Sequence, residues 1–310
     1  MVSVIIPSYN HALFLEQRIN TVLNQTFQDF EIIIIDDCSN DNSYELIERF
    51  RNNSKITNII RNKSNSGNPF LQWKRGVELA QNDLIWIAES DDFCEKVFLE
   101  KLVPYFNDRS IVLAYCKSEL ADETGKITGV ENWGKIESPE HWSKDYIVNG
   151  MDEFYKYQLK KNIVTNASSV LFRKSCFEKI QYFPEDITTA GDWLIWSQMM
   201  LMGKIAYKSE SLNYFRIHDH TTRSLKSFEG ELKKMADNLK VIEYFRKLTN
   251  KEVRIISNYK WLVDRWVSRF EIRLLFNKDY IFQKFSLNML CWFYIGIIKR
   301  VFVIGVNKFK

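Results

Sequence analysis

Four consecutive isoleucines, Ile32 to Ile35 in "EIIIIDD" (31–37), constrain this chain more than any other feature. A run that is apolar on every residue, rather than on alternate ones, predicts a strand covered on both faces, as in the middle of a parallel sheet. The surroundings agree. Apolar runs at 2–7, 55–61, 83–89 and 110–116 read as further strands. Between them, 12–25, 42–53, 69–81 and 96–106 carry apolar residues at helical spacing. Asp41 or Asn42 stands at one helix start and Pro69 in another's first turn, both favoured there. Strand–helix alternation of this kind implies right-handed crossovers and a doubly wound sheet.

Sheets of this class bind ligands outside the carboxyl ends of their strands. Three strands end there in polar residues: Ser8-Tyr9-Asn10, Asp36-Asp37-Cys38-Ser39 and Glu89-Ser90-Asp91-Asp92. The last cluster is costly, since two like charges ~4 Å apart repel by roughly 4 kcal/mol at an effective dielectric of about 20. Either the acids are solvated, with Asp92 capping the next helix and Asp36 and Asp37 making Asx turns, or something positive sits among them. No GxGxxG and no GxxxxGK[ST] occurs, so a glycine-rich phosphate cradle is excluded. For a nucleotide ligand, that leaves a divalent cation, Mg2+ or Mn2+, held by carboxylates with a diphosphate on its other side.

The rest of the chain is less regular. Residues 117–165 read as a long functional loop, with a hairpin in "DETGKITGVENWGK". Strand-like "ASSVLFRK" (167–174), an apolar helix at 192–203 and a strand at 204–218 follow, and from about 229 the pattern is helical. The five cysteines are scattered without a CxxC pair, which argues against zinc or a disulfide framework. "MVSVIIPSYN" lacks a basic n-region and a cleavage site, and reads as a strand that begins at once. Charge divides the chain: residues 231–310 hold 17 Lys and Arg against 7 Asp and Glu, and residues 1–230 hold 26 against 32.

Taken in order, "VSVIIPSYN", "EIIIIDDCSNDNS", "RNKSNSGNPFLQWKRG", "WIAESDDF" and "AGDWLIWSQM" resemble the family 2 glycosyltransferases of GT-A fold. The resemblance covers about residues 1–220. It implies a mixed, doubly wound α/β sheet flanked by helices: a catalytic domain at 1–228, with a nucleotide-sugar half at 1–116 and an acceptor half at 117–228. A helical extension occupies 229–310. It further implies inverting transfer of a sugar from a nucleotide diphosphate, UDP above all, to an acceptor hydroxyl. Donor contacts map onto Pro7, Tyr9, Asp36, Asp37, Asn65, Gly67, Glu89, Asp92 and Arg216. Asp91 and His218 are the expected metal ligands and Asp192 the general base. The sequence departs from the family twice: Glu89 stands where Asp opens the DxD motif, and Gly191 where Glu precedes the base. Arg61, Lys63, Lys74 and Arg75 could neutralise phosphate near the site, but such residues more often form a solvated face, and they are left outside the expected site.

The tail carries a separate expectation. Its apolar run from Met289 to Ile298 is too short for a bilayer span of ~20 residues and is followed by Lys299 and Arg300. Residues 285–306, with the basic and aromatic "YKWLVDRWVSRFEIRLLF" (259–276), fit a helix lying on an anionic membrane face. Packing on the protein or on a second copy of the chain is the other reading. The expected setting is the cytoplasmic face of the plasma membrane, with a lipid-linked or glycan acceptor in surface polysaccharide synthesis and no nucleic acid. Two other functions remain open. A nucleotide-sugar-binding scaffold without catalysis is allowed by Glu89 and Gly191. A sugar-1-phosphate nucleotidyltransferase would need a glycine-rich loop after the first strand, which "IIPSYNHALF" lacks.

Overall fold

The computed structural model describes residues 1–130, 138–218 and 227–249, together with positions 294, 295 and 298. The chain divides into two compact units, residues 1–224 and 225–310.

The first unit is built on a ten-stranded sheet. Along its main path the strands are β3 (Ile56–Arg61), β2 (Phe30–Asp36), β1 (Val2–Ser8), β4 (Leu84–Ile87), β9 (Val170–Arg173), β6 (Ile111–Ala121), β10 (Lys204–Arg216) and β5 (Phe93–Cys94). β7 (Ile127–Val130) pairs with β6, and β8 (Tyr146–Asn149) pairs with β10. β1 is parallel to β2 and β4, and β2 to β3, whereas β9 runs antiparallel to β4 and β6. The sheet is therefore mixed. Ile32 to Ile35 are fully buried, as a central strand covered on both faces requires. Each isoleucine so buried stabilises the fold by about 1.5–3 kcal/mol.

The covering helices follow the sequence pattern with two corrections. α1 (Ala12–Leu23) buries Phe14, Leu15, Ile19 and Val22 along one face, and places Arg18 on that face too. α3 (Pro69–Leu79) packs closely on β1 at Gly76, where an added Cβ would lie 2.4 Å from Ile5 Cγ2. α2 is shorter than 42–53, spanning Ser43–Arg49, because Asn53 Oδ1 accepts from Lys55 N and turns the chain. The helix expected at 96–106 is α4 (Phe98–Leu102) followed by a tighter 3-10 turn, Val103–Asn107. Pro104 lacks the N–H that would continue the α-helical ladder.

Residues 117–165 are more ordered than their composition suggests. β6 runs on to Ala121, and Asp122 Oδ1 accepts from Thr124 N and Lys126 N to close the hairpin into β7. The hairpin's remaining residues, 131–135, lie in the stretch 131–137 outside the described ones. α5 (Gly191–Met200) is buried at nearly every position.

In the second unit the described helix is α6 (Phe228–Leu248). Ser227 Oγ caps it by accepting from Gly230 N, with Glu229 and Glu231 in the first turn and Arg246 and Lys247 in the last. That arrangement suits the helix dipole. Among the described residues no helix is long and apolar enough to cross a membrane. The segments 259–276 and 285–306 lie outside the described residues, apart from positions 294, 295 and 298.

Candidate active site

The ends of β2, β1 and β4 stand side by side. The loops after β1 and β2 are tied together. Asn10 N donates to Ser39 Oγ at 3.0 Å, Asn40 N to Asn10 Oδ1 at 2.9 Å, and His11 N to Ser43 Oγ at 3.1 Å. Asn10 and Cys38 both adopt left-handed backbone, with φ of 55° and 63°. Asp41 accepts from Ala12 N and Ser43 N; burial works against its charge, but these bonds and the Ser43 hydroxyl hold its pKa below the ordinary value.

At the β1–β2 end, Ser8 and Asp36 are register partners. Both are buried, and Ser8 Oγ and Asp36 Oδ1 have no hydrogen-bond partner among the described residues. Asp36 Oδ2 accepts from Ser39 N at 3.1 Å, and Arg61 Nε lies 3.6 Å from it. The Arg61 guanidinium rests on the Tyr44 ring. Arg61, left outside the site expected from the sequence, thus stands beside Asp36. Pro7 is buried and Tyr9 exposed.

Asp37 is placed differently. Its oxygens accept from Asn62 Nδ2 (2.6 Å), Gln72 Nε2 (3.0 Å), Ser66 Oγ (2.7 Å) and Ser66 N. Asn65 Nδ2 donates to Asp37 O, and Asn65 Oδ1 accepts from Gly67 N, the glycine having φ of 68°. Asp37, Asn65 and Gly67 together shape the 62–68 loop.

The acid cluster after β4 contains its own cations. Arg18, fully buried, donates from Nε to Glu89 O at 2.8 Å and brings Nη2 to 3.9 Å from Asp92 Oδ2. Asp92 accepts from Ser168 Oγ (2.6 Å), Asn166 Nδ2 (2.9 Å) and Arg216 N (3.0 Å). Burial and the Asp91 charge push its pKa up to about 6 against these bonds. Glu89 accepts from Trp73 Nε1 at 2.8 Å, and burial with Asp91 beside it raises its pKa to about 8. The Arg216 guanidinium faces the hairpin: it donates to Asp91 O (2.7 Å), Glu123 O (2.7 Å) and Gln17 Oε1 (2.6 Å), between the Phe14 and Phe93 rings.

Asp91 has imidazoles beside it. His218 Nε2 lies 3.2 Å from Asp91 Oδ2, and the His11 ring is 5.5 Å from that of His218. Ser90 Oγ, 2.7 Å from His11 Nδ1, fixes the His11 ring. Burial would raise the Asp91 pKa, but His11 and the His218 hydrogen bond outweigh it and hold it below the ordinary value. One ligand atom from each of His11, Asp91 and His218 falls within 4.8 Å of the others, a spacing that fits a divalent cation.

Asp192 lies in the first turn of α5, half-buried. Its Oδ2 accepts from Asn162 Nδ2 at 2.9 Å and its Oδ1 from Trp193 N at 2.8 Å. Ala190 is the N-cap of α5. Gly191 sits where a Cβ would be 2.4 Å from the Phe70 ring and 2.8 Å from Pro184 Cβ. The family's Glu side chain therefore has no room there, and Phe70 fills the space. Asn68 Nδ2 donates to the Pro184 and Glu185 carbonyls, pinning the loop that leads to Asp192.

His11 and Arg18 are absent from the sequence-level site. Arg18 had a signal: a cation on the apolar stripe of α1. His11 had only its place directly after the first strand's end.

The glycosyl transferase family 2 profile matches residues 3–179. This chain belongs to that family. An uncharacterized glycosyltransferase of Haemophilus influenzae is 26% identical over 267 residues, spanning 84% of this chain and 79% of its own. The putative teichuronic acid biosynthesis glycosyltransferase TuaG of Bacillus subtilis is 26% identical over 227 residues, spanning 73% and 82%. TarS of Staphylococcus aureus, a poly(ribitol-phosphate) beta-N-acetylglucosaminyltransferase, is 25% identical over 69% of this chain but only 35% of its own. The crystal structure of TarS residues 1–349 with UDP-GlcNAc superposes with a TM-score of 0.59 at 18% identity, over 88% of this chain and 82% of that one. The fold is GT-A, a mixed sheet flanked by helices.

Proposed function

We propose that this family 2 member moves a hexosyl or N-acetylhexosaminyl group from a UDP-sugar to a hydroxyl of a surface glycan or lipid-linked acceptor, with inversion. The observation that carries the reading is the order of groups along the three strand ends. Ser8 Oγ and Asp36 Oδ1, buried and unpartnered among the described residues, lie at one end. The His11, Asp91 and His218 set lies at the other. Uracil N–H and ribose hydroxyls are donors that match a buried carboxylate oxygen, and a diphosphate would extend from there toward the charged end. TarS structures with UDP and with UDP-GlcNAc support a uridine donor.

Two imidazoles and one carboxylate suit Mn2+ better than Mg2+, which prefers oxygen ligands and water. When bound, the ion would supply Lewis-acid stabilisation of the leaving diphosphate. Asp192 would accept the proton of the attacking hydroxyl, a role worth about 10²–10⁴ in rate. The acceptor oxygen forms its bond to the anomeric carbon as the bond to the diphosphate oxygen breaks on the opposite face. The basic, aromatic segments 259–276 and 285–306 are the proposed site of peripheral contact with the cytoplasmic membrane face.

Calorimetric titration of UDP with Mn2+ and with Mg2+, alongside turnover of a UDP-sugar panel, tests the reading. We expect tighter binding with Mn2+, weakened by Asp36→Asn and Asp91→Asn, and turnover lost in Asp192→Asn. Failure to bind UDP in either metal would sink it. The Gly191 departure favours one competitor, a non-catalytic scaffold, which would bind UDP with no turnover of any donor.

A further inference from the structure

We propose that Asn162 is the residue that positions Asp192 for proton transfer; this rests on reading Asp192 as the base. Asn162 is half-buried, just beyond the helical turn Phe154–Gln158. Its Oδ1 accepts from Val164 N at 3.2 Å and from Gln158 Nε2 at 3.3 Å. With donors on the oxygen, the amide has one chemically sensible orientation, and Nδ2 is directed at Asp192 Oδ2.

The orientation is anchored in the helix that carries the base. Gln158, fully buried, accepts from Ile163 N at 2.8 Å and donates to Ser197 Oγ at 3.1 Å. Trp193 Nε1 donates to Gln158 O at 2.7 Å. Trp193 and Ser197 both belong to α5, one residue and one further turn beyond Asp192. Asn162 and Asp192 are therefore held by one rigid unit. Asp192 accepts a donor on each oxygen, Asn162 Nδ2 on one and its own helix's Trp193 N on the other, which sets the plane of the carboxylate. Orientation at this level matters, since a displacement of about 1 Å costs on the order of 10²-fold in rate.

Asn162→Asp separates positioning from scaffolding. It keeps the two acceptor bonds that shape the 158–164 turn, replaces the donor to Asp192 by an acceptor and sets a second carboxylate beside the base, so the pH at which kcat rises should move upward in Asn162→Asp but not in Asn162→Ala. We expect kcat to fall about 10–100-fold in Asn162→Asp and in Asn162→Ala, the range typical of groups that orient a functional residue. KM for the UDP-sugar and the dissociation constant of UDP should stay within about twofold of the parent, because ground-state donor binding is untouched. An Asn162→Asp enzyme with parental kcat, beside an impaired Asn162→Ala, would make Asn162 a turn residue and overturn the proposal. So would loss of cooperative melting or of UDP binding in both variants. Parental kcat in Asp192→Asn would remove the base reading and this proposal together, whereas its loss combined with full activity in Asn162→Asp removes the positioning role alone.

Discussion

Two pairs of adjacent aspartates close β2 and follow β4, and the fold treats the members of each pair differently. Asp37 and Asp92 are embedded in hydrogen bonds that join segments distant in sequence, the 62–68 loop in one case and residues 166, 168 and 216 in the other. Asp36 keeps one oxygen without a partner among the described residues, and Asp91 faces two imidazoles. Neighbours in sequence thus divide the work: one carboxylate of each pair joins loops, and the other keeps an oxygen unpartnered among the described residues or stands with the imidazoles. A motif of two acids does not say which is which; the donors around each one do.

The sharpest way to break this division is within the second pair. Asp92→Asn leaves the buried Arg18 guanidinium without its nearest countercharge, a change that costs about 3–5 kcal/mol where a buried pair loses one member. A fall in unfolding free energy of that size is expected, read as a lower denaturation midpoint, with any loss of activity following from unfolding. Asp91→Asn should do the reverse. Its midpoint should stay close to the parent in metal-free buffer, while Mn2+-dependent turnover falls by about 100-fold or more. Equal stability loss in both variants would erase the distinction drawn here.

The first pair makes the same contrast on a smaller scale. Asp37→Ala removes the acceptor of the Asn62, Ser66 and Gln72 donors, and should cost about 2–3 kcal/mol through donors left unsatisfied. Asp36→Asn preserves an acceptor for Ser39 N and should change stability by less than about 1 kcal/mol. Its effect belongs in UDP affinity instead, about tenfold, roughly one charge-assisted hydrogen bond. Urea unfolding read beside UDP titration for both variants checks the pair.

These contrasts show what a sequence of this kind discloses. The parallel core was legible because burial on both faces leaves uninterrupted apolar runs, as in Ile32 to Ile35. The three strand ends were legible because their polar residues stand together after such runs. The partition within each pair was not, since it depends on Asn62, Gln72, Asn166 and Ser168, polar residues with no periodicity. The surroundings of Arg216 were hidden for a related reason. The family resemblance maps it onto the donor, and its donors reach the Asp91 and Glu123 carbonyls and Gln17, so it also ties the hairpin to the motif. Arg18 escaped notice because it stands on the apolar face of a helix, where only a buried countercharge explains it. The acceptor half was least legible, since β7 and β8 are short and their pairing with β6 and β10 is set by residues far away in sequence.

A carboxylate at the sheet's far edge supplies the control for all of these. Asp145 precedes β8 and accepts from Lys208 Nζ at 2.5 Å, Ser209 N at 2.8 Å and Ser209 Oγ at 2.7 Å, much as Asp37 does at the site. It differs in solvation, with its side chain 40% exposed. Burial is the largest single influence and opposes its charge, but the Lys208 and Ser209 bonds together prevail and hold its pKa at about 2. A carboxyl depressed in the folded state stabilises the fold above its unfolded pKa of ~3.9 and ceases to do so as pH falls through the folded value. Solvent screening limits that contribution to about 1 kcal/mol or less. Asp145→Asn should therefore shift the urea midpoint slightly at pH 7 and progressively less as pH falls from about 4 through about 2, with no change in UDP affinity. A loss as large as that of Asp37→Ala would mean that the number of hydrogen bonds, and not burial, decides what a carboxylate contributes here.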